Sequence, residues 1–223
     1  MNSPPKTFLY SWLLLFASAI WGLAFVVMKD TLEVVPTNYI LVLRFLVAGL
    51  GLLPVLLGVR MTRALVWRGA VLGLFLYGAY ALQTWGLLYT TASKNALITS
   101  VYVVLVPFFV WVLQRRAVGR RVLWAAGLAF DGLVILSPPE ASGFNPGDLL
   151  TLLSGFGYAI HITLVGLFSE DEPVMPLTCI QFLFASGLAW AGALGFETFP
   201  ASVGAGTWVA LAYLAFGSTL VAL

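Results

Sequence analysis

Long apolar stretches, separated by short polar or proline-containing connections, dominate this chain of 223 residues. A helix needs about 20 predominantly apolar residues to cross the hydrocarbon core of a bilayer. This pattern predicts eight spanning helices, at residues 8–28, 38–58, 66–88, 94–113, 121–138, 147–168, 176–196 and 206–223. No connection between them is long enough to fold as a soluble domain. The predicted fold is therefore an all-α polytopic membrane protein.

An internal repeat relates two parts of the chain at a constant offset of 137 residues. The aligned pairs are Trp21 and Tyr158, Pro36 and Pro173, Phe45-Leu46 and Phe182-Leu183, Ala48 and Ala185, and Gly69 and Gly206. The first unit, residues 1–140, holds five predicted helices, an odd number, so the second unit, residues 141–223, begins on the opposite side of the membrane. Such an inverted-topology repeat is typical of secondary transporters. Chance alignment of two apolar stretches is the alternative.

The second unit contains three predicted helices where the first contains five. On this comparison we expect a natural protein of ten helices, of which about eight are present here, with the second repeat truncated at its C-terminus. A true eight-helix protein, which would complete its cavity as a homodimer, is the competing interpretation.

The distribution of charge predicts the orientation. Charged residues make up 9% of the chain and the mean hydropathy is +1.00, whereas soluble domains carry about 25% charged residues. With a cytoplasmic N-terminus, only Lys29 and Lys94 lie outside. The inner side then collects Lys6, Arg60, Arg63, Arg68, Arg115, Arg116, Arg120 and Arg121. The positive-inside rule therefore predicts a multi-pass protein of the cytoplasmic membrane with its N-terminus inside.

Hydroxyl, amide and aromatic side chains form stripes on four predicted helices. Asn95, Thr99 and Tyr102 occur at i, i+4 and i+7 and so share one helical face. Four such stripes predict a shared polar cavity that suits a small amphipathic solute. The predicted substrate-binding residues are Trp21, Tyr80, Asn95, Thr99, Tyr102, Tyr158 and His161. Aromatic belts at the membrane surface, and a helix that is kinked at Pro107 and packed on its neighbours, are the alternatives.

Three ionisable side chains lie within predicted spans: Arg44, Asp131 and His161. A charge at the centre of a membrane helix costs about 2.5–3.5 kcal/mol on insertion scales, so each of these groups needs a partner or water. Arg44 and Asp131 lie at similar depths, which predicts either a structural ion pair or a proton-coupling site. His161 is a candidate for substrate binding or proton relay, with a structural hydrogen bond as the alternative.

Four short motifs lie in the first half of the chain: Trp21-Gly22, Arg44-Phe45, Ala92-Ser93, and the run from Ala96 to Pro107 with its Val-Pro. Together they resemble the EamA family of the drug/metabolite transporter superfamily. The resemblance implies ten helices in two inverted five-helix repeats, with alternating access to a central cavity. It also implies a secondary transporter of a small metabolite, amino-acid-like or similarly amphipathic, working in the direction of export. The chain departs from the family pattern at Lys94-Asn95 and Asp131.

Two other functions remain as alternatives. Small multidrug or cation efflux pumps of the same superfamily use a carboxylate in helix one, and helix one here has none before Asp30. An intramembrane enzyme is the alternative of another class, but His161 is the sole histidine and Phe216-Gly217-Ser218-Thr219 lacks the Gly-x-Ser-Gly of a serine protease. We expect no catalytic residues, metal site, cofactor or nucleic-acid partner. The expected partners are a small-molecule substrate and the lipid bilayer.

Overall fold

The computed structural model describes residues 4–115, 117–136 and 143–221, and its regular structure there is helical. The helices are α1 (Pro4–Thr31), α2 (Thr37–Leu52), α3 (Arg63–Tyr89), α4 (Ala92–Thr99), α5 (Tyr102–Gln114), α6 (Arg120–Leu136), α7 (Pro146–Phe168), α8 (Val174–Phe196) and α9 (Ala205–Ala212). A 3₁₀ turn, Leu53–Leu56, extends α2. The π segment, Tyr213–Val221, extends α9. The predicted all-α fold is confirmed.

Six of the described helical segments are long and apolar enough to cross a membrane, with α4 and α5 together forming one of them. The segments Arg120–Leu136 and Ala205–Val221 are shorter, at 17 residues each. These eight segments follow the predicted order, and their ends differ from the prediction by a few residues. The predicted ends at 137–138 and 222–223 lie outside the described residues. The protein is therefore a polytopic membrane protein.

The fourth predicted span, 94–113, is not one continuous helix. α4 ends at Thr99 and α5 begins at Tyr102, so the break precedes Pro107, which lies inside α5. The hydroxyls of Thr99 and Ser100 donate to carbonyls four residues earlier, at 2.8 and 2.9 Å. Such bonds from a hydroxyl back to its own helix compete with the regular ladder and bend it. The regular helix is thus interrupted at Ser100 and Val101, and the alternative of a kink at Pro107 stays a prediction.

Small side chains allow α8 to pack along both α2 and α3. Ala185, Ala189 and Ala193 occur at i, i+4 and i+8 and are fully buried. Beside them the rings of Phe45 and Phe182 stack with centroids 6.0 Å apart. Lipid is as apolar as leucine, so helices in a membrane associate through close packing of this kind rather than through the hydrophobic effect.

α3 and α7 approach until their main chains touch. A Cβ atom added at Gly86 would lie 2.7 Å from the carbonyl oxygen of Gly147, and one added at Gly147 would lie 2.5 Å from the carbonyl oxygen of Gly86. Further along α7, a Cβ atom added at Gly157 would lie 3.1 Å from Ala79 Cβ and 3.3 Å from its Cα. A backbone atom cannot move aside as a side chain can, so these positions require the smallest residue.

Polar contacts join the helix ends on the side of the bundle where α3 ends and α7 begins. Lys29 Nζ donates to the carbonyl oxygens of Leu87 at 2.6 Å and Thr90 at 3.0 Å, where the partial negative charge of a helix C-terminus favours a cation. The buried carboxylate of Asp148 accepts from Thr90 Oγ1 at 2.9 Å and pairs with Lys94 Nζ at 2.7 Å. These contacts hold α1, α3, α4 and α7 together at this end.

We expect Gly86→Ala to lower the free energy of unfolding by about 1–3 kcal/mol, because the added methyl group overpacks the contact between the two main chains. The matched control is Gly78→Ala on the same helix, where an added Cβ meets nothing within 4 Å; its effect should stay within about 0.5 kcal/mol. The thermal unfolding of both variants in detergent checks this. Equal midpoints for the two variants would contradict the close approach of α3 and α7.

Candidate functional site

A cavity of about 510 Å³ lies among α1, α2, α3, α4, α7 and the start of α5. Its volume falls within the range of about 300–1,000 Å³ that is usual for small-molecule sites. The seven residues predicted to bind substrate all lie on its wall, together with Arg44: Trp21, Tyr80, Asn95, Thr99, Tyr102, Tyr158 and His161. The structure thus brings the four predicted stripes to one place, while the binding roles of these residues stay predictions.

The side-chain amide of Gln83 connects two walls of the cavity. Its Nε2 donates to Thr99 Oγ1 on α4 at 3.1 Å, and its Oε1 accepts from the Tyr158 hydroxyl on α7 at 3.0 Å. Gln83 is not among the residues predicted from the sequence to bind substrate. The available signal was a strongly polar amide inside a membrane-length helix, where an unpaired amide is costly.

Asn95 is fully buried in the cavity wall, and of its two side-chain amide atoms only the nitrogen makes hydrogen bonds. Its Nδ2 donates to the main-chain oxygen of Gln83 at 3.0 Å and to Thr151 Oγ1 at 2.7 Å. A main-chain oxygen can only accept, so the amide nitrogen must face it and the orientation of the group is determined. Asn95 Oδ1 has no hydrogen-bond partner within the described part of the chain. A buried acceptor left in this state costs about 1–3 kcal/mol.

Aromatic rings form a continuous wall that begins at Arg44. The guanidinium carbon of Arg44 lies 4.8 Å from the centre of the Tyr80 ring, a cation–π distance. Tyr80 meets Tyr158 edge to face at 5.3 Å between centroids, and Tyr158 meets Tyr102 at 6.1 Å. The cavity therefore offers a guanidinium group followed by three rings and their hydroxyls.

Arg44 is 4% exposed and is held by two neutral hydroxyl groups. Its Nε donates to Thr219 Oγ1 at 3.0 Å, and its Nη2 donates to Ser218 Oγ at 3.1 Å. Both hydroxyls in turn donate to the carbonyl oxygen of Leu214, at 2.7 and 2.9 Å, and so present their lone pairs to the guanidinium group. The group is thus oriented without its charge being neutralised.

The π segment supplies these hydroxyls and also contacts α1. The Thr219 hydroxyl bonds to a carbonyl five residues earlier, the spacing of a π-helix, and such stretches are frequent at functional sites. Trp21 Nε1 donates to the Ser218 carbonyl oxygen at 3.1 Å, and the Tyr213 hydroxyl donates to that of Ile20 at 2.8 Å. The same segment therefore positions both Arg44 and Trp21.

The structure does not bring Asp131 to Arg44. Asp131 is exposed on α6, which packs against α5, and it does not line the cavity. The partners that the structure gives Arg44 are hydroxyls, so the predicted ion pair is absent from the described residues. Similar depth in the membrane did not predict a contact, because α2 and α6, the second and fifth predicted spans, do not pack against each other in the described residues. A proton-coupling role for Asp131 stays a prediction.

His161 lies between the cavity and α8. Its Nε2 is 2.8 Å from Gln181 Oε1, so the imidazole bridges α7 and α8 while one face borders the cavity. The described residues contain no group of three or more His, Cys, Asp or Glu side chains placed to hold a metal ion. His161 thus has a protein partner and lies on the cavity wall, and its role in substrate binding or proton relay stays a prediction.

Comparisons with known proteins agree with the membrane fold. The family model described as the EamA-like transporter family matches residues 8–137. An uncharacterized transporter from Archaeoglobus fulgidus is 34% identical over 166 residues, which are 73% of this chain and 51% of the relative. The chain thus spans about half the length of this curated relative.

A protein of known crystal structure resembles 95% of this chain with a TM-score of 0.67, and the match covers 75% of that protein. The two sequences are 20% identical, so this likeness shows the fold alone.

Gln83 and Tyr158 should be energetically coupled. We expect Gln83→Leu to cost about 1–3 kcal/mol of stability, because it leaves the part-buried Tyr158 hydroxyl without its acceptor. Tyr158→Phe should therefore cost less in the Gln83→Leu background than in the parent protein. A double-mutant cycle of thermal unfolding in detergent measures this coupling. Strict additivity of the two substitutions would show that the amide does not join α3 to α7.

Proposed function

This chain belongs to the EamA-like transporter family, and we propose that it exports a small metabolite across the cytoplasmic membrane by alternating access. The proposed substrate is amino-acid-like or similarly amphipathic. The observation that carries the proposal is the cavity of about 510 Å³ with its aromatic and hydroxyl-bearing wall. Helices of both proposed repeat units contribute to this wall, α1 to α4 from the first and α7 from the second.

The packing of the helices supports an inverted repeat with residues 1–140 and 141–223 as its units. In such a repeat, α1, α2 and α3 of the first unit correspond to α7, α8 and α9 with its π segment in the second unit. The α3–α7 contact should therefore have a counterpart between α1 and α9 with the π segment. The α3–α8 contact becomes a contact of α2 with the same elements, and the α2–α8 contact maps onto itself. Each of these pairs packs in the structure. Two units that rock about a shared cavity provide alternating access.

Efflux of a cationic compound is the second candidate for the transported substrate. A cavity that selects a cation is expected to carry a carboxylate, because a buried positive charge needs a negative partner. The described wall carries the guanidinium group of Arg44 and no Asp or Glu side chain. This charge balance favours a metabolite over a cationic drug. The family and the relative bear the names of transporters, which disfavours the intramembrane enzyme.

We propose a cytoplasmic N-terminus on the grounds of the charge distribution. Arg68 near the start of α3 contacts Asp171 at 2.8 Å and Glu172 at 3.2 Å, so the acidic α7–α8 loop lies on the same side as the start of α3. That side is cytoplasmic in this proposal. The Lys94–Asp148 pair then lies at the outer end of the cavity.

This orientation predicts which introduced cysteines a membrane-impermeant maleimide reaches. The native Cys179 is buried and is first replaced by alanine. In intact bacterial cells, Glu33→Cys in the α1–α2 loop should be labelled, whereas Arg60→Cys before α3 should react after permeabilisation alone. Both positions are exposed to solvent in the structure. The reverse pattern would place the N-terminus outside.

The cavity assignment predicts the effect of removing its rings. Trp21→Ala, Tyr102→Ala and Tyr158→Ala should each lower flux about tenfold, as expected when a ring that contacts the substrate is truncated, and should still insert into the membrane. Flux is measured in proteoliposomes loaded with each of the standard amino acids in labelled form. Trp67→Ala, at an exposed position on α3 away from the cavity, is the matched control. Normal flux in all three cavity variants would refute the assignment.

A further inference from the structure

The charge of Arg44 is the first of two unmatched features on the cavity wall. A guanidinium group has five N–H donors, and the bonds that the structure gives it engage Nε and Nη2 with neutral hydroxyls. The other titratable groups on the wall are His161, which is bonded to Gln181, and three tyrosines. A cation in so apolar a setting is stabilised when an anion pairs with it. The wall thus complements a negatively charged occupant.

The unpaired oxygen of Asn95 is the second unmatched feature, and it is independent of the first. Asn95 is fully buried, lines the cavity, and has its nitrogen committed to Gln83 and Thr151. Its Oδ1 can only accept. Buried polar atoms in proteins are nearly always paired, with protein, water or ligand. The missing partner must be a donor, and Asn95 lies in the wall of the cavity.

From these two features we infer that the transported substrate is a carboxylate that also carries an N–H or O–H donor, with Arg44 binding the carboxylate and Asn95 Oδ1 accepting from the donor. This inference rests on the proposed transport function. Amino acids and hydroxy acids both satisfy it, whereas simple amines lack the anion and simple carboxylic acids lack the donor. The rings of Trp21, Tyr80 and Tyr102 supply an apolar wall for the rest of the molecule.

Four probes that share a phenyl ring and differ in their polar groups separate these requirements: phenylalanine, 3-phenyllactate, 3-phenylpropionate and phenethylamine. Their dissociation constants are measured by titration calorimetry on the protein in lipid nanodiscs. We expect phenylalanine or phenyllactate to bind about tenfold more tightly than phenylpropionate, since a hydrogen bond to a desolvated acceptor is worth about that factor. Whichever of the two binds more tightly identifies the donor as an ammonium or a hydroxyl group. Phenethylamine should bind at least about a hundredfold more weakly than the better of them.

Substitutions at Asn95 and Arg44 test whether the preference for a donor depends on Asn95 and the preference for a carboxylate depends on Arg44. Asn95→Ala should reduce the ratio between the better donor-bearing acid and phenylpropionate to about one. Asn38→Ala is the matched control, because Asn38 is a second buried asparagine, bonded to Glu197 and Tyr77 away from the cavity, and this variant should keep the ratio. Arg44→Gln should weaken all three acids about a hundredfold, whereas Arg44→Lys, which keeps the charge, should weaken them about tenfold or less.

The outcomes separate this inference from the proposed function. Equal binding of phenylalanine and phenethylamine, equal binding of all three acids, or a preference that survives Asn95→Ala overturns the inference and leaves the cavity as the transport site. No binding of any probe at millimolar concentration also overturns it. If probes bind but Tyr102→Ala changes the affinity of none, the cavity is not the site and the proposed function fails with the inference.

Discussion

Inside a bilayer, every buried polar group must find its partner within the protein, and the arrangement of this molecule depends on that constraint. The amide of Gln83 on α3 hydrogen-bonds with Thr99 on α4 and with Tyr158 on α7, so one group provides partners for polar side chains of two neighbouring helices. The hydroxyls of Thr99 and Ser100 satisfy carbonyls of their own helix at the point where α4 ends. Polar side chains that would be costly toward lipid instead form one wall of a cavity.

Close packing of small residues provides the frame that holds this wall in place. Gly86 and Gly147 let the main chains of α3 and α7 touch, and the alanine row of α8 allows it to pack against α2 and α3 together. The polar contacts of Lys29, Lys94 and Asp148 then tie the helix ends on one side.

Two groups on the wall are left incompletely satisfied, and they are the ones of most interest for function. Arg44 is oriented by hydroxyls that leave its charge in place, and Asn95 is oriented by its nitrogen with its oxygen unpaired. A substrate of the chemistry inferred above, with an anionic group and a hydrogen-bond donor, would satisfy both groups, so the cost in the empty state is consistent with selectivity in the occupied state.

The sequence by itself determined the number and order of the helical segments, because the hydrophobic length of a span is a local property of the chain. It also determined which faces of those helices are polar, since helical periodicity places Asn95, Thr99 and Tyr102 on one side. Eight of the nine candidate site residues reach the cavity for this reason. Whether they bind substrate is a separate matter that periodicity does not address.

The tertiary structure alone decided which helices are in contact, and hence which polar side chains bond to each other. Arg44 contacts Ser218 and Thr219, more than 170 positions away in sequence, rather than Asp131 at a similar depth. Gln83 became central because α4 and α7 happen to flank it, and the regular helix of the fourth span is interrupted at Ser100 and Val101. Pairing of side chains depends on the distances between helices, and those distances are set by small-residue packing between elements far apart in the chain.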